Sequence, residues 1–239
     1  GFAQTNGTAR VTINKARYRS DLDRRLLGAF LEHLGRAIYT GVYQPDSPLA
    51  DENGFRTDVI EEVSGMDVPI MRYPGVNFVS GYNWLDGVGT KHDRPTVLER
   101  AWNSLETNQF GTNEFIQWCQ LVGTEPLLGF NLGTGTPEQA VAYVEYCNVD
   151  RGTKWSDLRR AHGFENPHDV RYWCMGNVMD GPWQMGHMTA RESGRKARDA
   201  ARQIRVIDRN LKLIACGSSN TILPTYLTWD REVLEECYD

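Results

Sequence analysis

A chain of 239 residues with 40% hydrophobic and 24% charged residues has the apolar content of a folded globular protein, which excludes a disordered or low-complexity chain. A net charge of −5 gives none of the basic excess that a nucleic-acid face requires, and no apolar run is long enough to span a bilayer, so neither nucleic acid nor membrane is expected as a partner. The five cysteines (Cys119, Cys147, Cys174, Cys216 and Cys237) are scattered, odd in number and without a C-x-x-C pair, so zinc and redox motifs are unsupported and buried free thiols are expected.

At the start of the chain, Gly1-Phe2-Ala3 before Gln4 has the small-x-small form of a trimmed signal-peptide remnant, which leaves a cytoplasmic or an exported location open. Arg10 to Asn14, R-V-T-I-N, alternates as a short strand. Leu26 to Leu31 is the next strand and runs into Glu32, His33, Leu34, Gly35 and Arg36. A Glu and an Arg just past a strand end either sit at the mouth of a parallel barrel or form a surface ion pair, which is common and weak. Between Asp51 and Gly65, the positions Phe55, Val59, Ile60 and Val63 recur near helical spacing, with Gly65 as the stop. Val68 to Tyr73 is a strand followed by P-G-V-N-F-V-S-G-Y-N-W. Its Arg72 reads as a barrel-interior charge held by carboxylates, as a ligand contact, or as both.

Trp84 and Trp102 follow in loops, each either a stacking platform or a core plug. Asn113 to Val122 is a helix with Phe115, Trp118, Cys119 and Val122 on one side. Pro126 to Asn131 is a strand closing in L-G-T-G-T, which lacks the G-K-[ST] ending of a phosphate loop. Pro137 to Tyr146 is a helix with proline in its first turn. Val170 to Met175 is an apolar, β-prone run that breaks at Gly176-Asn177 into a loop holding Asp180, Trp183, Gln184 and His187. Indole, imidazole and amide together suit a sugar, whose faces stack and whose hydroxyls need donors and acceptors; the plainer reading is one more strand-to-helix turn. The helix Thr189 to Ile207 carries a basic run on one solvated face. Leu211 to Cys216 is a strand leading to G-S-S-N, and Pro224 to Cys237 is a helix. This alternation predicts a parallel sheet with right-handed crossovers. Five strands are counted, near residues 26, 68, 126, 170 and 211, where a closed barrel needs eight.

Three stretches carry a resemblance: W-C-M-G-N-V-M-D-G-P-W-Q-M-G-H from Trp173, G-A-F-L-E-H-L-G-R from Gly28, and R-Y-P-G-V-N from Arg72. Together they resemble the α-L-arabinofuranosidases of glycoside hydrolase family 51. The resemblance implies a (β/α)8 TIM barrel, present here as about five βα units over residues 21–239. Residues 1–20 precede it as an N-terminal strand segment that joins a β-sandwich. It implies retaining removal of terminal arabinofuranosyl residues from arabinan- or arabinoxylan-type saccharides. It assigns sugar contacts to Glu32, Arg72, Asn77 and Asn177, and places Trp102 on the leaving-group side. Asp180 matches a family Asp that accompanies the catalytic Glu, and is read as structural. No metal or cofactor is implied.

Two departures stand out. Val178 occupies the position of the family's acid/base Glu, and Val76 stands where the family usually has a second Gly. The family's nucleophile, its last three βα units and its sandwich are expected beyond residue 239, so the chain as it stands is expected to be inactive. The alternatives are a non-catalytic arabinose-binding relative, or one half of a split barrel. The partners expected are an arabinofuranose-containing oligo- or polysaccharide and either a second copy of the chain or a complementing C-terminal half.

Overall fold

The computed structural model describes residues 10–12 and 14–238. In chain order the elements are β1 (Ala29–Phe30), α1 (Thr57–Gly65), β2 (Ile70–Tyr73), β3 (Val97–Glu99), β4 (Ser104–Glu106), α2 (Thr112–Val122), β5 (Glu125–Phe130), α3 (Pro137–Asn148), α4 (Lys154–Ala161), β6 (Tyr172–Met175), α5 (Ala190–Ile207), β7 (Lys212–Ala215) and α6 (Thr228–Cys237). Five strands pair in parallel in the order β1-β2-β5-β6-β7, while β3 and β4 form a separate antiparallel hairpin. Each parallel strand therefore lies beside its predecessor with helix between, which is the repeating unit of a TIM barrel. The chain forms an incomplete barrel of this kind, as expected.

The register fixes two faces. Phe30, Arg72, Leu127, Tyr172 and Lys212 are partners across all five strands and so project to one side. Two residues further on, Gly129, Cys174 and Ile214 share that side. The opposite side carries Met71, Tyr73, Leu128, Phe130, Trp173 and Met175, all buried in the main core with residues of the surrounding helices. Trp173 stacks on Phe130 with ring centroids 4.7 Å apart, Tyr143 of α3 meets Trp173 edge-on, and Trp84 stacks on Tyr143. The inner side is less covered: Phe30 is 57% and Ile214 41% exposed.

Several boundaries differ from the sequence expectation, each for a local reason. The strand expected over Leu26–Leu31 begins as a 3-10 turn, Arg24–Leu27, because the Asp23 carboxylate accepts the Arg25 N–H and turns the chain. The helix expected within Asp51–Gly65 occupies Thr57–Gly65, and Asp51 accepts the N–H groups of Asn53 and Phe55 in the loop before it. The helix expected from Pro224 starts at Thr228. Arg10–Thr12 and Asn14 pair with no strand among the described residues, and Ile13 and Gly1–Ala3 lie outside them.

Two elements escape the sequence patterns. One is the hairpin of β3 and β4. The other is α4, secured by Arg159, whose fully buried guanidinium donates to the carbonyls of Tyr146, Val149, Asp150, Phe164 and Glu165. That cation closes the C-terminal end of α3.

His168 lies nearby, with Nε2 2.8 Å from Asn113 Oδ1. Burial, reinforced by the Arg159 charge, lowers its pKa from 6.5 to about 4. Because the neutral form is favoured in the folded state, its contribution is intact above pH 6.5 and is lost as the pH falls toward 4, by about 2–3 kcal/mol. Urea unfolding at pH 7 and pH 4.5 is expected to show this loss, and His168→Gln is expected to flatten it. Equal pH dependence in both proteins would contradict the assignment.

Candidate active site

The five parallel strands end on one rim, and the residues singled out from the sequence gather there. Leu31 N–H donates to the Arg72 carbonyl at 2.7 Å, which extends the β1–β2 pairing up to Glu32. Glu32 is buried, and its Oε1 accepts the Phe78 N–H at 3.0 Å and the Trp102 indole N–H at 3.1 Å. Arg72, on β2, donates from Nη2 to Asn177 Oδ1 at 2.8 Å, bridging to the loop after β6. Arg72 Nε and Asn177 Nδ2 are buried without a hydrogen-bond partner among the described residues. Two unpaired donors beside a buried carboxylate are suited to bind hydroxyl groups, since an orphaned buried donor is costly until a ligand satisfies it.

Asn77 opens a 3-10 turn, Asn77–Gly81, and its carbonyl accepts Gln184 Nε2 at 3.4 Å. The glycine required here is Gly75, at φ +121°, where an added Cβ would meet Glu32 Cγ at 2.2 Å. Val76 has φ −104° and ψ −91°, outside the left-handed region that favours glycine.

Val178 follows Asn177 directly and is half-buried, with φ +49°. A β-branched residue in the left-handed region is a genuine outlier costing about 1–2 kcal/mol. Nothing in valine favours that conformation, so the loop imposes it, and strained backbone of this kind clusters at functional sites. Asparagine tolerates the region, and Val178→Asn is expected to raise the unfolding free energy by about 1 kcal/mol, or about 2–4 °C in Tm. Val178→Ile retains the branch and is expected to leave stability unchanged. An asparagine variant no more stable than the isoleucine variant would show the strain to be absent.

The rest of the loop divides differently from the sequence reading. Of Trp183, Gln184 and His187, Trp183 and His187 are exposed, Trp183 at 56%, and Gln184 is buried. Gln184 donates to Ser80 Oγ and so ties this loop to the turn after β2, while His187 Nδ1 lies 3.2 Å from the Met179 carbonyl within the loop. Asp180 Oδ2 accepts Ser218 Oγ–H at 2.8 Å and Ser219 N–H at 2.9 Å, tying the loops after β6 and β7 to each other. Ser80, His33, Glu99 and Glu106 also support the rim and were given no role from the sequence. His33 sits inside a recognised motif, but Ser80 and the two glutamates carry no local pattern that marks them. Among the described residues, no group of three or more His, Cys, Asp or Glu side chains is placed to hold a metal ion.

Comparisons with known proteins bear on the same region. The family pattern described as Alpha-L-arabinofuranosidase 1 domain matches residues 62–236. The intracellular exo-α-(1→5)-L-arabinofuranosidase 1 of Bacillus subtilis is 50% identical over 231 residues, covering 97% of this chain and 46% of that relative. Among solved structures, a family 51 α-L-arabinofuranosidase from Bifidobacterium longum superposes with a TM-score of 0.89 and 46% identity, over 91% of this chain and 43% of that one. The arabinose complex of an α-L-arabinofuranosidase from Thermotoga maritima superposes with a TM-score of 0.83 and 47% identity, over 88% of this chain and 42% of that one. The chain thus spans about half the length of the relatives it matches.

Proposed function

This chain belongs to the α-L-arabinofuranosidases of glycoside hydrolase family 51, and from that premise we propose that it forms the N-terminal barrel part of a retaining glycosidase acting on terminal arabinofuranosyl groups. The substrate class is arabinan- or arabinoxylan-type saccharide. The observation that carries the reading is the Arg72–Asn177 bridge, with its two unpaired donors, on the rim that also bears Glu32. A furanose ring there receives hydrogen bonds from Arg72 and Asn177 and donates to Glu32, and the exposed part of the Trp102 indole faces the leaving group. Asn77 lines the same rim. Residues 21–239 form the barrel part, and residues 1–20 belong with a β-sandwich.

Retaining hydrolysis uses two carboxyl groups about 5–5.5 Å apart. One protonates the leaving oxygen and later activates water; Val178 occupies its position and has no proton to exchange. The other attacks the anomeric carbon, and by resemblance it is supplied from beyond residue 239. The part-exposed inner face at Phe30 and Ile214 supports closure of the barrel by further βα units, whether from the same chain or from a complementing one. In this form the chain binds but does not cleave. A dedicated arabinose-binding relative is the second reading, and Val178 is the observation that favours it.

Calorimetric titration with methyl α-L-arabinofuranoside tests the binding site. Binding that is lost in Arg72→Ala and Glu32→Ala is expected. Binding indifferent to both substitutions, or none at all, would contradict the site.

A further inference from the structure

We propose that Glu106 and Glu99 are positioning residues that hold the Trp102 indole on Glu32, making the hairpin of β3 and β4 a fixed wall of the sugar pocket. The proposal deepens the arabinofuranose-binding reading and rests on it for its functional consequence. Each hairpin strand ends in a buried glutamate, Glu99 on β3 and Glu106 on β4. An exposed two-stranded hairpin of three-residue strands has little stability of its own, so what fixes it must come from elsewhere.

Glu99 fixes the tip. Its two carboxylate oxygens accept the N–H groups of Ala101 and Trp102, so the backbone that carries the indole is held within the hairpin. Glu106 fixes the base. Its Oε2 lies 2.7 Å from His33 Nδ1, and its Oε1 accepts the Tyr39 hydroxyl and the Asn108 N–H. Burial alone would raise the Glu106 pKa, but the close approach of His33, with hydrogen bonds from Tyr39 and Asn108, outweighs it and lowers the pKa below the usual value.

His33 is the chain neighbour of Glu32, which closes a ring of contacts. It runs from Glu32 to His33, across to Glu106, along the hairpin to Trp102, and back through the indole N–H to Glu32. His33 is itself held, with Nε2 2.8 Å from the Tyr73 hydroxyl and its ring stacked on Phe78 at 4.4 Å. Phe78 supplies the other donor to Glu32. Both donors to Glu32 fall on Oε1, and Oε2 makes no hydrogen bond among the described residues. The ring therefore turns one oxygen of Glu32 inward and leaves the other for a sugar hydroxyl, while Trp102 stays 37% exposed beside it.

The experiment follows the indole N–H signals of the 239-residue chain by NMR, with Trp102 identified by its loss in Trp102→Phe. In the unsubstituted protein the Trp102 indole proton is expected to be protected from solvent exchange. Glu106→Gln and Glu99→Gln are expected to speed its exchange about tenfold or more, the equivalent of one hydrogen bond involving a charged group, while the fully buried Trp118, Trp173 and Trp229 keep their rates. Tyr39→Phe keeps the aromatic ring but removes the hydroxyl that donates to Glu106 and accepts the Gln109 and Phe110 N–H groups, and it is expected to give a smaller change of the same kind. It remains decisive if a glutamate variant does not fold. Trp102 exchange unchanged in these variants, or all four indoles changing together in Tyr39→Phe, would overturn the proposal. Titration of the same proteins with methyl α-L-arabinofuranoside separates the functional claim. Weaker binding in the variants that free the indole is expected, and unaltered binding in them overturns the pocket-wall role. Absence of binding in every protein, the unsubstituted one included, counts against the arabinofuranose reading while the exchange data still decide the positioning.

Discussion

The 239-residue chain carrying Val178→Glu is expected to leave aryl arabinofuranosides unhydrolysed. Restoring a carboxyl at residue 178 supplies an acid/base, but the retaining route also needs a carboxylate to attack the anomeric carbon. Two carboxylates at the strand ends are each held by one oxygen. Glu32 accepts two N–H groups at Oε1, and Asp180 accepts the hydroxyl of Ser218 and the N–H of Ser219. These bonds fix the position of each side chain, and the family's nucleophile matches neither of them. Release of nitrophenol from 4-nitrophenyl α-L-arabinofuranoside, compared with a buffer blank, checks this. Turnover by the purified Val178→Glu chain would place a nucleophile within these residues and contradict the assignment.

The sequence was most informative where structure and chemistry share one stretch. The run Val170–Met175 is apolar and β-prone because β6 is buried on its outer face against α3 and α5, and the strand observed lies within it, over Tyr172–Met175. Gly176 and Val178 then take left-handed conformations, which explains why the strand stops there. The parallel order of the five strands followed from their alternation with helices. The hairpin of β3 and β4 was not legible, because three-residue strands give too few positions for a period of two to show. Helix α4 has few apolar positions and depends on Arg159 reaching five carbonyls, a tertiary arrangement that no local pattern records.

The site residues divide in the same way. Glu32, Arg72 and Asn177 stand out in motifs because each lies at or just past a strand end, where a barrel presents its chemistry. Trp102 was singled out as an aromatic, but its bond to Glu32 depends on the hairpin and was visible only in the structure. Gln184 and His187 share a polar character in the sequence but differ in place: Gln184 is buried and bonded to Ser80 across to the turn after β2, and His187 is exposed, with Nδ1 near the Met179 carbonyl. Glu106 was passed over because its partners, His33 and Tyr39, are distant in sequence.

The larger expected effect lies in a completed barrel. A chimaera that continues this chain beyond residue 239 with the corresponding remainder of the Bacillus subtilis relative is expected, from the family resemblance, to gain the nucleophile while Val178 remains. A nitrophenolate leaves without protonation, so aryl arabinofuranosides are expected to react in the first step. A sugar alkoxide does not, and natural arabino-oligosaccharides are expected to lose the general-acid factor of about 10²–10⁴. The second step is expected to stall, because no base activates water. Azide attacks the glycosyl-enzyme without a base, so added azide is expected to speed turnover and yield arabinosyl azide.

The comparison that tests the central claim most directly is kcat/KM on an α-(1→5)-linked arabino-oligosaccharide for this chimaera with Val178 and with Val178→Glu. A glutamate at the acid/base position is expected to raise it about 10²–10⁴-fold and to abolish the azide effect. Equal rates for the two proteins would show that another group delivers the proton, and that residue 178 is not the acid/base position.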